Sequence, residues 1–507
     1  MFASVLSAAI LGMEVRPILV EADVSDGLPS FTMVGFPSAQ VKEAQDRVRT
    51  ALKNNGISLP PKRITVNFAP ADIRKEGAGF DLPVAAAVLA AAGVLEPALL
   101  HKVMLAGEIS LNGEIHPVTG ILPMVIHARE EKCRFCMIPH GNLKEGRLIQ
   151  DMKVIGVKNL KEMIRFLRNP EEFSEELDVN KEEGTGAAEE DFADICGQAG
   201  VRRAVEIAVS GFHNILLIGP PGAGKTMIAR RIPSIMPRLN FEEGLELTKI
   251  YSIAGLLSRE HPLIEKRPFR SPHHTCSPQA LAGGGRNPRP GEITLAHRGV
   301  LFLDEMPEFS RRSLEILRQP LEDKVIRIAR TTGTYEFPAN FMLCAAMNPC
   351  PCGFYPDMNQ CRCTAGEVAH YLGKISQPLL DRIDLCAEAA PVDFSQISSK
   401  KTGESSCDIR KRVETVREIQ KLRFSGESIR FNGEMGKNHI DKYCYVSESA
   451  QKLLERAFKK IRFSARSYHR ILKVARTIAD MDGSEKIESR HAGEAISYRA
   501  FDKKYWS

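Results

Sequence analysis

Residues 213–232 read HNILLIGPPGAGKTMIARRI, and the order of residue types here sets the architecture of the middle of the chain. The unbroken apolar run from Ile215 to Ile218 has the character of a strand buried on both faces. It runs into Gly219, Pro220, Pro221, Gly222, Ala223, Gly224, Lys225 and Thr226, and a helix follows from Met227. Strand, glycine-rich turn and helix form the context in which G-x-x-x-x-G-K-[ST] cradles phosphate. Gly219, Gly222 and Gly224 let the backbone curl, so that its N–H groups and the helix N-terminus surround an anion. Lys225 is expected to reach the β- and γ-phosphates of ATP, and Thr226 to set its hydroxyl on Mg2+.

Hydrolysis needs a carboxylate beside the metal and another to activate water, both at the end of a neighbouring strand. The stretch GVLFLDE, 299–305, supplies a second buried strand, Asp304 as the Mg2+ partner and Glu305 as the residue that polarises water. A third strand, NFMLCAAMN, 340–348, ends in Asn348, whose amide suits positioning of that water. Further cations are available in Arg382, within QPLLDRID, and Arg466, within SARSYHR. Charge developing in phosphoryl transfer is commonly met by an arginine from a neighbouring subunit.

The chain has 507 residues, enough for about three domains of ~150 residues each. At 43% apolar and 26% charged residues, it has an ordinary globular composition. The longest apolar stretch, LPVAAAVLAAAGVL at 82–95, falls short of the ~18 residues of a membrane span and reads as a buried helix. The beginning, MFASVLSAAILGMEVRP, has no basic start and meets Glu14 early, which argues against a signal peptide. A cytoplasmic protein without a membrane partner is expected, and in that reducing setting clustered cysteines more often mean metal than disulfide.

Net charge is +6, and its distribution is uneven. Residues 171–191 hold ten acidic residues against one lysine and read as a solvated linker. By contrast, LERAFKKIRFSARSYHRILKVAR, 454–476, carries eight Lys or Arg and one Glu, either a DNA-facing surface or the solvated sides of packed helices. Directly after Asn348, NPCPCGFYPDMNQCRCT holds Cys350, Cys352, Cys361 and Cys363. Four thiolates suffice for tetrahedral structural Zn2+, the alternative being a loop of reduced thiols. Cys133 and Cys136 have no second pair nearby and read as core.

Taken together, DFADICGQ (191–198), the glycine-rich turn, RPFRSPHHTCSPQALAGGG (267–285), GVLFLDE, AAMNPCPCG (345–353), PLLDRIDL (378–385) and SARSYHRILKVARTIAD (464–480) resemble the YifB/ComM group of magnesium-chelatase-like AAA+ ATPases. The resemblance spans nearly the whole chain. It implies a multidomain α/β protein: residues 1–170 a domain similar to the Lon-protease/S5 type, 171–190 the acidic linker, 191–395 the P-loop AAA+ domain, and 396–507 a C-terminal helical lid domain. It further implies that Ile195 and Gly197 lie near adenine, Asn348 senses the γ-phosphate, Arg382 is a finger serving the neighbouring subunit, and Arg466 is a second sensor on the lid. Such proteins resemble hexameric rings with ATP between subunits. The segment 324–341 alternates like a hairpin, with Arg327 and Arg330 expected to face the pore as a grip on phosphate backbones.

The resemblance to Lon-type proteases lies in KEGAGFDLPVAAAVLAAAG (75–93) and LAGEISLNGEIHPVTGILPMVIHARE (105–130). The nucleophilic serine and activating lysine of such a protease align with Gly79 and Leu122, so proteolysis is not expected. A ring-forming DNA motor, a helicase or branch-migration enzyme acting on single-stranded or branched DNA, is the favoured reading. A protein remodeller or metal-insertion chaperone of the magnesium-chelatase kind is the alternative.

Overall fold

The computed structural model describes residues 1–173, 190–331, 333–391, 403–461 and 464–506. Most of the expected acidic linker, Thr332 at the expected hairpin tip, Arg462 and the junction at 395/396 lie outside the described residues.

The N-terminal unit is built on a seven-stranded mixed sheet. Its strands are β1 (Phe2–Leu11), β2 (Glu14–Ser25), β3 (Ser30–Val34), β4 (Arg63–Ala69), β5 (Val103–Leu105), β6 (Phe135–Pro139) and β7 (Val154–Val157), in spatial order β3-β4-β2-β1-β5-β6-β7. Against β1 and β2 lies α1 (Asp81–Ala91), the apolar helix read from the sequence, with every residue buried. It ends at Ala92, where Gly93 takes φ +81° and turns the chain. Its first residue, Asp81, is fully buried yet accepts two hydrogen bonds from the Arg47 guanidinium, at 2.8 and 2.9 Å, and one from the Ile109 N–H. A carboxylate can be buried at a helix start because its lone pairs are met and the helix dipole favours it. Burial nevertheless pushes its pKa up, with Arg47 opposing.

The second unit is an all-parallel five-stranded sheet: β8 (Ile215–Ile218), β9 (Phe269–Arg270), β10 (Val300–Leu303), β13 (Met342–Met347) and β14 (Leu385–Glu388), ordered β9-β10-β13-β8-β14. Both faces are covered, which explains the continuous apolar runs. Ile215, Leu217, Val300, Phe302, Met342, Cys344 and Leu385 join one core, shared with helices of the C-terminal region. Leu216, Ile218, Leu301, Leu303, Leu343, Ala345 and Cys386 join the core of the opposite face. Period-two alternation thus sends neighbouring side chains into different cores. Ahead of β8 lies α2 (Ala199–Gly211), and after it α3 (Lys225–Ile235) and α4 (Phe241–Ala254).

Between β10 and β13 the chain forms a hairpin, β11 (Val325–Arg330) with β12 (Gly333–Pro338). The C-terminal region is helical: α5 (Ser406–Arg423), α6 (Glu448–Ile461), α7 (Ala465–Met481) and α8 (Ser489–Trp506). Helix α5 packs on α2 and α3, and α8 returns to β14. There Tyr505 Oη donates to Glu388 at 3.0 Å, and Trp506 Nε1 donates to the Leu372 carbonyl at 3.1 Å. The N-terminal unit docks on α4 through buried Glu145, whose carboxylate accepts from the Leu122 N–H, the Asn142 amide and the Ser252 hydroxyl.

Candidate nucleotide and metal sites

Three strands of the parallel sheet deliver polar residues at their C-terminal ends, and these meet. Lys225, at the start of α3, donates to the carbonyls of Gly219 (2.7 Å) and Pro220 (2.9 Å) and to Oδ1 of Asn348 (3.0 Å). Its ammonium is buried, and burial pushes its pKa down while Asp304 and Glu305 oppose the shift. Thr226 Oγ1 donates to Asp304 at 2.6 Å. A hydroxyl beside a carboxylate is a pair of hard oxygen donors of the kind Mg2+ takes. Gly222 and Gly224 adopt φ of +79° and +81°, and a Cβ built on either meets nothing within 4 Å. The turn therefore has open space beside both glycines, and its donor set fits Mg2+ and a polyphosphate chain. ATP with Mg2+ would supply the phosphoanhydride bond and its counter-charge there.

Glu305 sits at φ +49°, a conformation that costs a non-glycine residue energy and is often retained at functional sites. Its N–H donates to Asp304 at 2.9 Å, so the turn after β10 separates the two carboxylates. His274 Nδ1 lies 3.6 Å from the Glu305 carboxylate, and the His273 ring is 4.1 Å from that of His274. The contact between His274 and the Glu305 carboxylate was not apparent in the sequence, because the segment after β9 brings it in from thirty-one residues upstream. Gln198 was not apparent for a similar reason: its amide donates to the carbonyls of Ala223 (3.2 Å) and Ala390 (2.5 Å), pinning the segment of buried Ile195 and exposed Gly197 against the cradle. Met227 is exposed on the rim.

Arg382 and Arg466 do not join this group. Asn214, Asn340 and Asp384 each precede a strand of the parallel sheet, so they mark its N-terminal edge. Both arginines line a cavity of about 600 Å3 at that edge, with Lys324, His469, Arg470 and Lys473. Strands of four residues separate the two edges by roughly 13 Å. Arg382 is held by the Pro378 carbonyl (2.7 Å) and by Glu322, while its Nε is buried without a partner.

The cysteines do meet. Their sulfur atoms all lie within 4.8 Å of one another, with Cys350 Sγ 3.3 Å from Cys352 and 3.8 Å from Cys361, and Cys352 3.6 Å from Cys361. Tetrahedral Zn2+ with Zn–S of ~2.3 Å sets thiolates roughly 3.8 Å apart, close to these separations. The N–H groups of Gly353 and Tyr355 donate to Cys350 Sγ at 3.2 and 3.4 Å, and N–H groups of Phe354 and Arg362 pull the Cys352 thiol down to about 6. Neighbouring Cys350 and Cys352 push the thiols of Cys361 and Cys363 up instead, so it is the convergence of four sulfurs, with N–H donors on Cys350, that fits a structural metal. The knuckle abuts the nucleotide cradle: a Cβ on Gly353 would stand 2.4 Å from Pro221. Cys136, by contrast, is buried in the N-terminal core, with Cys133 packed against it.

At the positions aligned with a Lon-type dyad, Gly79 has only the Val118 side chain nearby and Leu122 is wholly buried. On the hairpin, Arg327 is paired with Glu336 across the strands at 2.6 Å, and Arg330 donates to the Gly285 carbonyl at 3.2 Å. Arg286, Arg289 and Arg330 are all exposed, so that three cations stand at the end of the hairpin and on the segment it touches through Gly285. No helix among the described residues is long and apolar enough to cross a membrane.

A parallel sheet carrying a P-loop, an adjacent Asp-Glu pair and a strand-end Asn, joined to a helical C-terminal region, defines a magnesium-chelatase-like AAA+ ATPase. Family models described as magnesium chelatase, subunit ChlI, match residues 191–397, those of subunit ChlI of Mg-chelatase match 20–142, and those of its C-terminal part match 403–499. The competence protein ComM of Haemophilus influenzae is 41% identical over 502 residues, 98% of this chain and 97% of that protein. YifB of Salmonella typhimurium is 42% identical over 504 residues, 99% and 97% of the two chains. A shorter match joins 28% of this chain to 26% of Lon protease 2 of Bacillus subtilis, at 28% identity. The chain belongs to the YifB/ComM family of magnesium-chelatase-like proteins. Membership implies an ATPase that uses ATP and Mg2+, in a class whose members commonly form rings.

Proposed function

We propose that this ATPase is a hexameric, cytoplasmic motor that moves on single-stranded or branched DNA, with helicase or branch-migration activity on recombination intermediates. The observation that carries the ring is the separation of Arg382 and Arg466 from Lys225 across the sheet, since cations on that edge serve a nucleotide only if it belongs to another copy. Exposed arginines on the hairpin and the neighbouring loop support DNA as the substrate. The name of the Haemophilus relative, a competence protein, supports a place in natural transformation.

In this reading Lys225 binds the β- and γ-phosphates, and Thr226 and Asp304 hold the metal. Ile195 and Gly197 border the adenine. Glu305 takes a proton from the attacking water, which Asn348 orients, and Arg382 of a neighbour neutralises charge developing on the γ-phosphate. Cys350, Cys352, Cys361 and Cys363 hold a structural Zn2+, with no open position for water. The N-terminal unit, Lon-like without its dyad, is a ring-building or DNA-contacting platform. Steady-state ATP hydrolysis with single-stranded DNA, duplex DNA or none tests this reading. DNA-stimulated, salt-sensitive turnover is expected, and a rate indifferent to every DNA favours a remodeller of protein partners.

A further inference from the structure

Three lysines line the cavity at the N-terminal edge of the sheet, Lys324, Lys437 and Lys473, and the nucleotide reading uses none of them; Lys324 is the one held beside Arg382 by a fixed backbone. Lys324 caps the short helix Arg318–Asp323 with φ +61°, in the left-handed region where a glycine would sit without strain. Its backbone is fixed on both sides: the N–H donates to Pro320 at 3.0 Å, and the carbonyl accepts from Ala339 at 2.8 Å. The side chain lines the cavity, and its ammonium has no ion-pair or hydrogen-bond partner among the described residues. Surrounding protein pushes its pKa down, with Glu434 and Asp384 only partly offsetting this.

Every carboxylate in the cavity is already engaged. Glu322 holds Arg382. Asp384 accepts from the Asn214 N–H and faces His213 and Arg470. Asp381 faces Arg499, and Glu434 accepts from the Asn340 amide at 2.6 Å and the Arg430 N–H at 2.8 Å. Arg466, exposed at the mouth, likewise has no partner among the described residues. Lys473 donates to the Gly433 carbonyl at 3.1 Å behind them. A half-buried ammonium with no direct partner, in a cavity where cations outnumber carboxylates, suits a multiply charged anion, and a lysine is a point charge able to follow a phosphate whose position shifts.

We propose that Lys324 is a further phosphate-binding residue, acting with Arg382 and Arg466 on a polyphosphate chain that enters this cavity, and that the chain is the nucleotide held by the P-loop of a second copy. The proposal rests on the ring reading. Lys324→Gln in the full-length protein should bind fluorescent ATP within about twofold of wild type and hydrolyse it roughly 10- to 100-fold more slowly. Mixing it with Lys225→Ala protein should recover activity, because an intact P-loop then faces an intact cavity. Lys324→Arg should retain most of the rate. Lys324→Gly should keep or raise the melting temperature, since glycine relieves the left-handed backbone, while losing turnover; a merely structural lysine would show a lowered melting temperature with turnover falling only in step.

Several outcomes overturn it. Wild-type turnover by Lys324→Gln, in a preparation where Arg382→Ala is inactive and is rescued by Lys225→Ala, removes Lys324 and leaves the ring intact. Failure of Arg382→Ala to be rescued removes the ring reading itself. Lysine-dependent binding of inorganic triphosphate to Lys225→Ala protein, without rescue on mixing, assigns the cavity to free polyphosphate instead. A loss confined to DNA affinity assigns it to nucleic acid.

Discussion

The two edges of one parallel sheet behave differently, and the contrast is informative. At the C-terminal edge, Lys225 bonds Asn348 and Thr226 bonds Asp304 within a single chain. At the N-terminal edge, Arg382 keeps an unsatisfied Nε, and Lys324 and Arg466 have no partner among the described residues. The first edge is complementary to itself around the glycine-rich turn. The second carries surplus positive charge, complementary to something the chain does not contain. A buried polar group left unpaired, as Arg382 Nε is, is costly, and its retention beside two further unpaired cations points to a partner in the working assembly.

The sharpest way to break this comparison is Lys225→Ala, which removes the charge at the self-complementary edge. Both nucleotide binding and turnover should be lost, the latter by at least about 10³-fold, measured by fluorescent-nucleotide titration and phosphate release. Arg382→Ala should cut turnover by about 10³-fold with binding intact. Mixed with Lys225→Ala it should regain activity in rings shown by mass measurement to contain both chains; no recovery there would mean the second edge serves no neighbour. Glu305→Gln sharpens the first edge alone, with ATP retained and hydrolysis slowed about 10²-fold or more, and wild-type turnover would remove Glu305 from its role.

Smaller effects separate the surroundings from the chemistry. Elemental analysis should find close to one zinc per chain, lost when Cys350 and Cys352 are both changed to Ser; a metal-free, fully folded wild-type protein would show the knuckle to be thiols only. Because Gly353 packs on Pro221, zinc loss should also weaken nucleotide binding by a few-fold, with roughly 1 kcal/mol as the scale of a lost packing contact. Smallest of all, Arg330→Gln should weaken DNA binding evenly across sequences and lower the slope of log affinity against log salt by about one per contact removed, with ATP binding unchanged.

Much was legible in the sequence because it depends on neighbours along the chain. Glycine-rich turns, strand-end carboxylates and C-x-C pairs are local patterns, and the apolar runs at 215–218 and 300–303 are strands in the structure because both faces of the sheet are covered. The helix expected over 82–95 runs from Asp81 to Ala91, its end set by Gly93. The hairpin expected over 324–341 occupies Val325 to Pro338, since alternation keeps Ile326, Ile328 and Phe337 on the buried side.

What lay beyond the sequence are relations between distant segments. Whether four thiols converge depends on how a loop of eight residues turns, and only the fold brings their sulfurs within 4.8 Å. The approach of His274 to Glu305 and of Gln198 to Ala223 follows from strand order, which composition does not encode locally. Lys324 looked like the first residue of a hairpin, and only its left-handed backbone, its lack of a partner and its place beside Arg382 distinguish it. The sequence by itself determined the chemistry available, because phosphate cradles and carboxylate pairs are written in contiguous residues. Only the tertiary structure decided which groups share an edge of the sheet, because strand direction sets on which side, roughly 13 Å apart, each side chain emerges.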